Sequence, residues 1–511
     1  MFGRTLTKLA VTGVGLLLLA GCGGVTGLDD TQVTITPPPT NPGDSVSRVP
    51  ASLSIVSGDS QSTLVNQIVG QRLVVRVVDA KEQPVKGAPV SWTAVGSGRV
   101  TPLAATTDDY GEASATWQLD IAPGAQFVRA QVGNLTVTFR ASASLEYTSV
   151  DAGGHHACAI TPSAAVYCWG YNGDGQLGIA SLDNRNVTSP IASDLTFRQL
   201  SGGRYHTCGI TLSGVAYCWG QNVDGRLGTG AFTPSNVPVQ VATPVAFEQI
   251  GSGWNHSCGL SRAGLAYCWG FNQEGEVGAP IFADSVVVAN PRPVSAQSFK
   301  ELAVGGLHSC ALATDESAWC WGLNNHGQVG DGTTTWTLNN LLDIKGDPLS
   351  SIPVPVLTTQ RFQHIAAGAY HSCALSAGNA YCWGDNQYGQ LGDGSNVESL
   401  IPVPVQMPAG VSFASISAGD THSCAVSTTG QAYCWGDNEH GKFGDGSEES
   451  SDVPVPVANG LTFATFSAGE TLSCGVTTAG RVYCMGQNDY GQLGDATNED
   501  RHTPVKGAYQ P

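Results

Sequence analysis

Positive charge is in short supply: 23 Lys and Arg stand against 41 Asp and Glu, and charged residues make up only 13% of the 511. A chain of formal net charge −18 repels phosphate backbones, which proteins bind by neutralising phosphates with Lys and Arg. Nucleic acid is therefore not an expected partner. Long apolar runs are scarce too, and the one at residues 9–20 is too short to cross a bilayer. Nucleophile elbows (G-x-S-x-G), Walker A loops and H-E-x-x-H helices are all missing. No catalytic residue, nucleotide or cofactor is expected on those grounds, and the chain is not expected to be an enzyme. What abounds is glycine, at 65 residues, a composition that favours short strands and tight turns over helices.

The amino terminus carries targeting information rather than fold. Arg4 and Lys8 form a positive region ahead of the apolar run, which ends Leu19-Ala20-Gly21-Cys22. This resembles the bacterial lipobox, a small-residue cleavage site followed by the cysteine that receives the lipid. The resemblance implies that residues 1–21 are a lipoprotein signal peptide and that lipidated Cys22 anchors the protein to a membrane without crossing it. Gly23 stands where Asp would suggest inner-membrane retention, so the outer membrane or cell surface is the expected location. Residues 22–50 are polar, with Pro37-Pro38-Pro39 in the middle, and read as a partly stiffened tether.

Residues 51–145 alternate strands and turns. Leu73, Val75 and Val77 share one strand face, as do Val90, Trp92 and Ala94, then Ala113, Ala115, Trp117 and Leu119, then Leu135, Val137 and Phe139. Period two broken by turns such as Lys86-Gly87 and Asp108-Asp109-Tyr110-Gly111 argues a β-sandwich. Val78-Asp79, Pro84-Val85 through Pro89-Val90, and Thr107-Asp108…Gly111…Ala113 resemble the bacterial immunoglobulin-like domain of invasin and intimin type. That resemblance implies a stalk or spacer without activity of its own.

From residue 146 the chain repeats itself. The unit is G-x-x-H-x-C, a short turn, then Y-C-W-G-x-N-x-x-G-x-L-G, starting at Gly153, Gly203, Gly253, Gly305, Gly368, Gly419 and Gly469. Its period of 50 to 52 residues stretches to 63 between the fourth and fifth copies, where residues 333–351 carry the extra length. Each unit holds about four short strands, and a radial array of such units is a propeller. The repeat resembles the regulator of chromosome condensation type, which implies a seven-bladed β-propeller over residues 146–511 in an all-β chain. Closure is expected by pairing of Thr503-Pro504-Val505 into one blade with the segment near Tyr147 to Val150. Residues present in every copy serve the blade: Asn172 and its equivalents as turn residues, Gly175 and its equivalents for positive φ, and Trp169, Trp219, Trp269, Trp321, Trp383 and Trp435 as wedges, with Met485 in the last copy.

Besides Cys22, two cysteines fall in each copy: Cys158/Cys168, Cys208/Cys218, Cys258/Cys268, Cys310/Cys320, Cys373/Cys382, Cys424/Cys434 and Cys474/Cys484. Each pair flanks one hairpin turn, and facing residues on antiparallel strands lie within disulfide reach. In an exported chain they read as seven disulfides. The fifth pair is one residue closer, so its turn at Ala377-Gly378-Asn379 must differ. His156, His206, His256, His308, His371 and His422 each precede a cysteine by two, a zinc-compatible spacing, with Leu472 in the seventh copy. Each site would need further ligands from its own hairpin, so these histidines read as structural and no metal is expected.

Function should sit where the repeat varies. The two residues between Gly and His are Gly154-His155, Arg204-Tyr205, Trp254-Asn255, Gly306-Leu307, Ala369-Tyr370, Asp420-Thr421 and Glu470-Thr471. If the copies are equivalent these pairs form one ring, and its Arg204, Tyr205, Trp254, Asn255, Tyr370 and His155 have the composition of a binding hot spot. A second set, Tyr171, Phe271, Tyr388, His440 and Tyr490, lies in the W-G-x-N-x-x-G loops. The expectation is a monomeric cell-envelope lipoprotein offering a propeller to a protein or glycan. One alternative is a secreted inhibitor of an extracellular enzyme, since the propeller-type β-lactamase inhibitor resembles this region. Another is a polysaccharide-active extracellular enzyme with a scattered site. Guanine-nucleotide exchange on chromatin, implied by the eukaryotic namesake, is opposed by export, disulfides and acidity.

Overall fold

The computed structural model describes residues 48–278, 286–334 and 352–510. The expected signal peptide, Cys22 and most of the tether lie outside the described residues, as does 335–351 of the long interval. Among the described residues, helix is confined to two three-residue turns, Glu439–Gly441 and Ala458–Gly460.

The alternating segment forms two sheets around one core. One sheet orders Ser52–Ser57, Leu73–Val78, Glu112–Gln118 and Arg99–Thr101. The other orders Gln61–Leu64, Leu135–Ser144, Gly124–Val132, Pro89–Val95 and Ala104–Thr106. Leu73, Val75, Val77, Val90, Trp92, Ala113, Ala115, Trp117, Leu119 and Phe139 all point into that core, the inward face that period two dictates. Ala94 and Val137 pack against it half-buried. Hydrogen bonds join the sandwich to the repeat region: Tyr167 Oη donates to Ile121 O at 2.6 Å, and Leu145 N–H donates to Tyr509 O at 2.9 Å.

Beyond it stand seven four-stranded antiparallel sheets. Sheet 1 comprises Ser149–Ala152, His156–Ile160, Val166–Gly170 and Arg185–Pro190. Sheets 2 to 6 repeat the plan over residues 197–240, 247–293, 299–355, 364–404 and 413–456. Sheet 7 comprises Phe463–Ala468, Leu472–Thr477, Val482–Gly486 and Arg501–Lys506. The expected closure is corrected here. Arg501–Lys506 pairs with Val482–Gly486 of its own repeat, and Ser149–Ala152 heads sheet 1, so no sheet mixes the two ends. The repeat is in phase with the sheets, because the strand before each G-x-x-H opens a sheet and the strand after each G-x-L-G completes it. Contacts between sheets close the ring instead: Tyr147 N–H donates to Gly480 O, Glu470 N–H to Gly153 O, and Trp169 Nε1 to Gln492 O.

The same joints recur at every step. Each recurrent tryptophan is buried between sheets and gives its indole N–H to a carbonyl of the preceding sheet, as Trp219 does to Gln176 O at 2.9 Å. Backbone N–H groups cross from sheet to sheet near the axis, as in Gly154 to Gly203 O at 3.1 Å and Arg204 to Gly253 O at 3.2 Å. This explains the leading glycine of the repeat: a Cβ on Gly203 would lie 2.5 Å from Gly253 O. Asn172 donates to Ser181 O and Asp183 O and accepts from Leu177 N–H, so one buried side chain satisfies a whole loop. Gly175 and its equivalents all have positive φ, 74 to 87° in the first three sheets.

Every cysteine pair of the repeat is bonded. The bridges are Cys158–Cys168, Cys208–Cys218, Cys258–Cys268, Cys310–Cys320, Cys373–Cys382, Cys424–Cys434 and Cys474–Cys484, with Cα atoms 4.0–4.1 Å apart. In each pair the two residues face each other directly across the second and third strands of a sheet. The third-strand partners also hold the outer strand. Cys168 faces Ser189 there, Cys218 faces Val239, Cys268 faces Arg292, Cys320 faces Val354, Cys382 faces Val403, Cys434 faces Val455 and Cys484 faces Val505. All of these sulfurs are buried, which shields the bonds from reductant. The fifth turn does differ. Ser376 faces Asn379 across a two-residue loop, with Ala377 at φ 49° and Gly378 at φ 80°, the two positive φ values that a type I′ hairpin requires.

The histidines join sheets. His156 Nε2 meets Thr207 Oγ1 of sheet 2 at 2.7 Å, and that hydroxyl donates its own proton to Gln176 O. The imidazole must therefore be the donor, an Nε2–H tautomer. His206, His308 and His371 meet Ser257, Ser372 and Ser423 in the same way, and His256 and His422 meet Ser309 and Ser473 at 2.9 Å. Burial pushes His156, His256 and His371 down to about 3, so they stay neutral. The seam between sheets 7 and 1 replaces both partners together. Leu472 stands for the histidine and Ala157 for the hydroxyl residue, and both are fully buried in one apolar cluster. A polar pair has become an apolar pair, with neither half left unsatisfied.

Candidate interaction surface

The innermost strands line a cavity of about 170 Å³ on the ring axis, to which all seven sheets contribute. Its wall is mostly backbone, Ser and Gly. Asp151 is its one acidic wall residue below the mouth. Asp151 stands where sheets 2, 6 and 7 have Ser201, Ser417 and Ser467, and accepts Gly202 N–H as Ser201 accepts Ser252 N–H. Burial pushes its carboxyl up to about 7.

The mouth is built by the first residue of each G-x-x-H pair. Trp254 of sheet 3 reaches Asp420 of sheet 6, its Nε1 donating to the carboxylate at 3.1 and 3.2 Å. Arg204 lies over the Trp254 ring at 4.7 Å and the Tyr205 ring at 5.5 Å, and pairs with Glu470 at 2.7 Å. Small residues leave the room this takes. A Cβ on Gly306 would sit 3.0 Å from Trp254 Cε2, and one on Gly154 would sit 3.0 Å from Glu470 Oε2. Burial, with the Glu470 carboxylate beside it, pushes Asp420 up to about 7. Thus the variation along the repeat is one self-packed plug, in which Gly154 and Gly306 are small because Glu470 and Trp254 are large.

Around the plug, aromatics of both variable sets meet. Trp254 packs edge-on against Tyr370 at 5.6 Å, and Tyr370 against His326 at 5.6 Å. Tyr171 and Tyr490 lie 5.0 Å apart, and His155 packs against Tyr490 at 5.8 Å. His155 Nδ1 meets Thr471 Oγ1 at 3.2 Å, next to the Glu470 that pairs with Arg204. A track therefore runs in two stretches, His326–Tyr370–Trp254–Arg204–Tyr205 and Tyr171–Tyr490–His155, joined through Thr471 and Glu470. Tyr490 is 38% exposed, and the other members of the track are half-buried.

The remaining candidates stand apart from the track. Asn255 and Phe271 are half-buried and share a backbone bond, Phe271 N–H to Asn255 O, and Phe271 pairs with Val287 in the sheet ladder. Tyr388 is 40% exposed and held by its backbone N–H, which donates to Gln390 Oε1. His440 turns to Asp500 at 2.8 Å.

Sequence reasoning passed over the acids Asp420 and Glu470, although both occupy the variable ring, because acids are ordinary in turns whereas aromatics stand out. It also missed a buried position, the x of G-x-L-G. Gln176, Gln328, Gln390 and Gln492 there accept a backbone N–H two residues upstream. Arg226, Glu276 and Lys442 replace them: Arg226 pairs with Asp224, and Lys442 with Asp437 at 2.5 Å. Glu276 keeps the acceptor role toward Glu274 N–H at 2.9 Å, while its other oxygen is buried without a partner. Burial pushes its carboxyl up to about 8, so it holds a proton where the glutamines carry an amide. The recurring Q-L-G was the available signal.

Comparison with known proteins places this geometry. The model of the RCC1-like domain matches residues 283–510. The regulator of chromosome condensation (RCC1) repeat matches residues 163–210 and 213–260, and a second model of that repeat matches 147–176, 197–226 and 247–276. Models of RCC1-type repeats thus match stretches of the ring from residue 147 to 510. Yeast Prp20p from Saccharomyces cerevisiae, a structure described with its binding to Gsp1p and histones, is 25% identical at TM-score 0.56, over 64% of this chain and 82% of that one. Human WBSCR16 shares the fold at TM-score 0.57 and 21% identity, over 65% of this chain and 88% of that one. Among curated relatives, the human E3 ubiquitin-protein ligase HERC2 is 33% identical over 32% of this chain and 3% of its own length. The Arabidopsis thaliana ultraviolet-B receptor UVR8 is 30% identical over 32% of this chain and 34% of its own. The matched part of the chain thus spans about a third or less of these curated relatives, and the printed RCC1 ranges begin at residue 147.

Proposed function

We propose that the chain is a cell-envelope lipoprotein whose seven-bladed RCC1-type propeller is an interaction module for a protein partner, carried on a lipidated Cys22, a tether and an immunoglobulin-like spacer. The observation that carries the interaction reading is the aromatic track. It is a run of rings with a stacked arginine on one face of a rigid, disulfide-stapled ring, which is the composition of protein-binding hot spots. Relatives support it: Prp20p is described with its binding to Gsp1p and histones. The anchor rests on the lipobox resemblance at Leu19-Ala20-Gly21-Cys22.

Two variants test it in native cells. Tyr171→Ala with Tyr490→Ala should abolish co-purification of the partner, while Leu212→Ala, at an exposed hairpin turn at the other end of the sheets, should not. Cys22→Ala should abolish metabolic labelling with palmitate. Partner recovery unchanged by the tyrosine pair would overturn the track as the site, and retained labelling would overturn the anchor.

A further inference from the structure

The track carries its own charge pattern, and this deepens the interaction reading, on which it rests. The cations of this face are already engaged. Arg204 pairs with Glu470, Arg226 with Asp224 and Lys442 with Asp437, and the last two are buried. Carboxylates remain beside the aromatics. Asp174 lies three residues beyond Tyr171 in the same loop, Asp489 immediately precedes Tyr490, and Asp385 N–H donates to Tyr370 O at 2.9 Å. Their hydrogen-bond partners are neutral: Gln221 for Asp174, Gln487 for Asp489, and Gln387 N–H and Gln390 for Asp385. No salt bridge among the described residues engages any of the three.

The molecule already shows what such a surface holds. Arg204 lies over two rings and is paired to a carboxylate. The Tyr171–Tyr490 pair, flanked by Asp174 and Asp489, repeats the rings and the carboxylates, and the cation–π contacts among the described residues fall on Tyr205 and Trp254 instead. Aromatic faces attract ammonium and guanidinium groups through the ring quadrupole, and a nearby carboxylate adds charge complementarity. A neutral glycan would bring no countercharge to these carboxylates, and an acidic partner would be repelled.

We propose that the aromatic track docks a basic segment of a protein partner, with Lys or Arg side chains lying on the Tyr171–Tyr490 pair and on Tyr370, and pairing with Asp174, Asp489 and Asp385. The test uses the full chain and a fluorescent deca-lysine peptide at low salt, where surface charge is least screened. Asp174→Asn, Asp385→Asn and Asp489→Asn together are near-isosteric and should weaken binding about ten-fold or more. Tyr171→Ala with Tyr490→Ala should weaken it by about the same factor, in the range that loss of a few ion-pair and cation–π contacts produces. A control that removes as much charge elsewhere, Glu82→Gln, Asp109→Asn and Asp194→Asn, should change it by less than about two-fold. Equal losses in face and control variants would overturn the proposal, because attraction would then be general to an acidic protein. So would binding of deca-glutamate or maltohexaose in place of deca-lysine. If the tyrosine pair abolishes recovery of the native partner while the asparagine triple does not, docking on the track stands and the basic character of the partner falls.

Discussion

Replacing Leu472 by His should cost the ring more than the same residue costs anywhere else in it. In six sheets that histidine meets a hydroxyl of the next sheet through Nε2, and in four of them the hydroxyl's own proton goes to a carbonyl, so the imidazole is the donor. At the seam it would face Ala157, and both positions are fully buried. The variant loses an apolar contact and strands a donor, a cost of about 1–3 kcal/mol for the donor alone. Ala157→Ser supplies the missing acceptor. The new hydroxyl can donate to Gln492 O, which receives Trp169 Nε1, just as Thr207 and Trp219 share Gln176 O. The double variant should therefore regain about 1–2 kcal/mol over the sum of the single changes. The midpoint of ring unfolding, followed by tryptophan fluorescence, measures it. The converse cycle, His206→Leu with Ser257→Ala, transplants the apolar pair into an ordinary joint and should show coupling of the same sign. If the single effects add within about 0.5 kcal/mol in both cycles, the pairs are independent and the seam is not a matched replacement.

Three further outcomes follow from the structure. Glu276→Gln should stabilise the ring more at pH 8 than at pH 5. The folded carboxyl, at about 8, keeps a proton that the unfolded chain has lost, so wild-type stability falls as pH rises between the unfolded and folded values. A difference on the order of 2 kcal/mol is expected, and pH-independent unfolding midpoints of the two proteins would contradict it. Gly306→Ala should displace Trp254, since its Cβ would lie 3.0 Å from that ring and from Ala369 Cα. The near-ultraviolet circular dichroism should change while the far-ultraviolet spectrum does not. Cys373→Ser with Cys382→Ser should lower stability by about 2.5–3 kcal/mol. Removal of another pair, such as Cys158–Cys168, should cost the same, because the loops differ by only one residue (separation 9 against 10). Denaturant titration of the two classes of variant compares them.

The repeat was legible because its signals are local and recur. Seven copies of the Y-C-W-G-x-N pattern, with single substitutions such as Trp319 and Met485, mark strands, turns and facing cysteines without reference to anything distant. Even the shortened turn at Ala377-Gly378 showed in the cysteine spacing. The mode of closure was not legible, because the sequence marks where a unit recurs but not which strand opens a sheet. Taking the glycine as the start displaced the first strand, and the end strand seemed to need a distant partner. Ala157 and Leu472 are far apart in the chain, and only the ring shows that they touch. The plug escaped for the same reason. Trp254 and Asp420 belong to different copies, and small residues such as Gly154 and Gly306 carry no chemical signal until a neighbour is seen to fill their space. The aromatic members of the variable ring were visible as candidates. Their continuity with Tyr171 and Tyr490 depends on adjacent loops meeting in space.

The central claim, that this face docks a partner at the cell envelope, is tested most directly by photo-crosslinking in the native cell. A benzophenone amino acid placed at Tyr490 should trap one discrete adduct in the membrane fraction, while the same group at Leu212 should trap none. Adducts from Leu212 with silence at Tyr490 would put the interaction on the opposite face and contradict the claim.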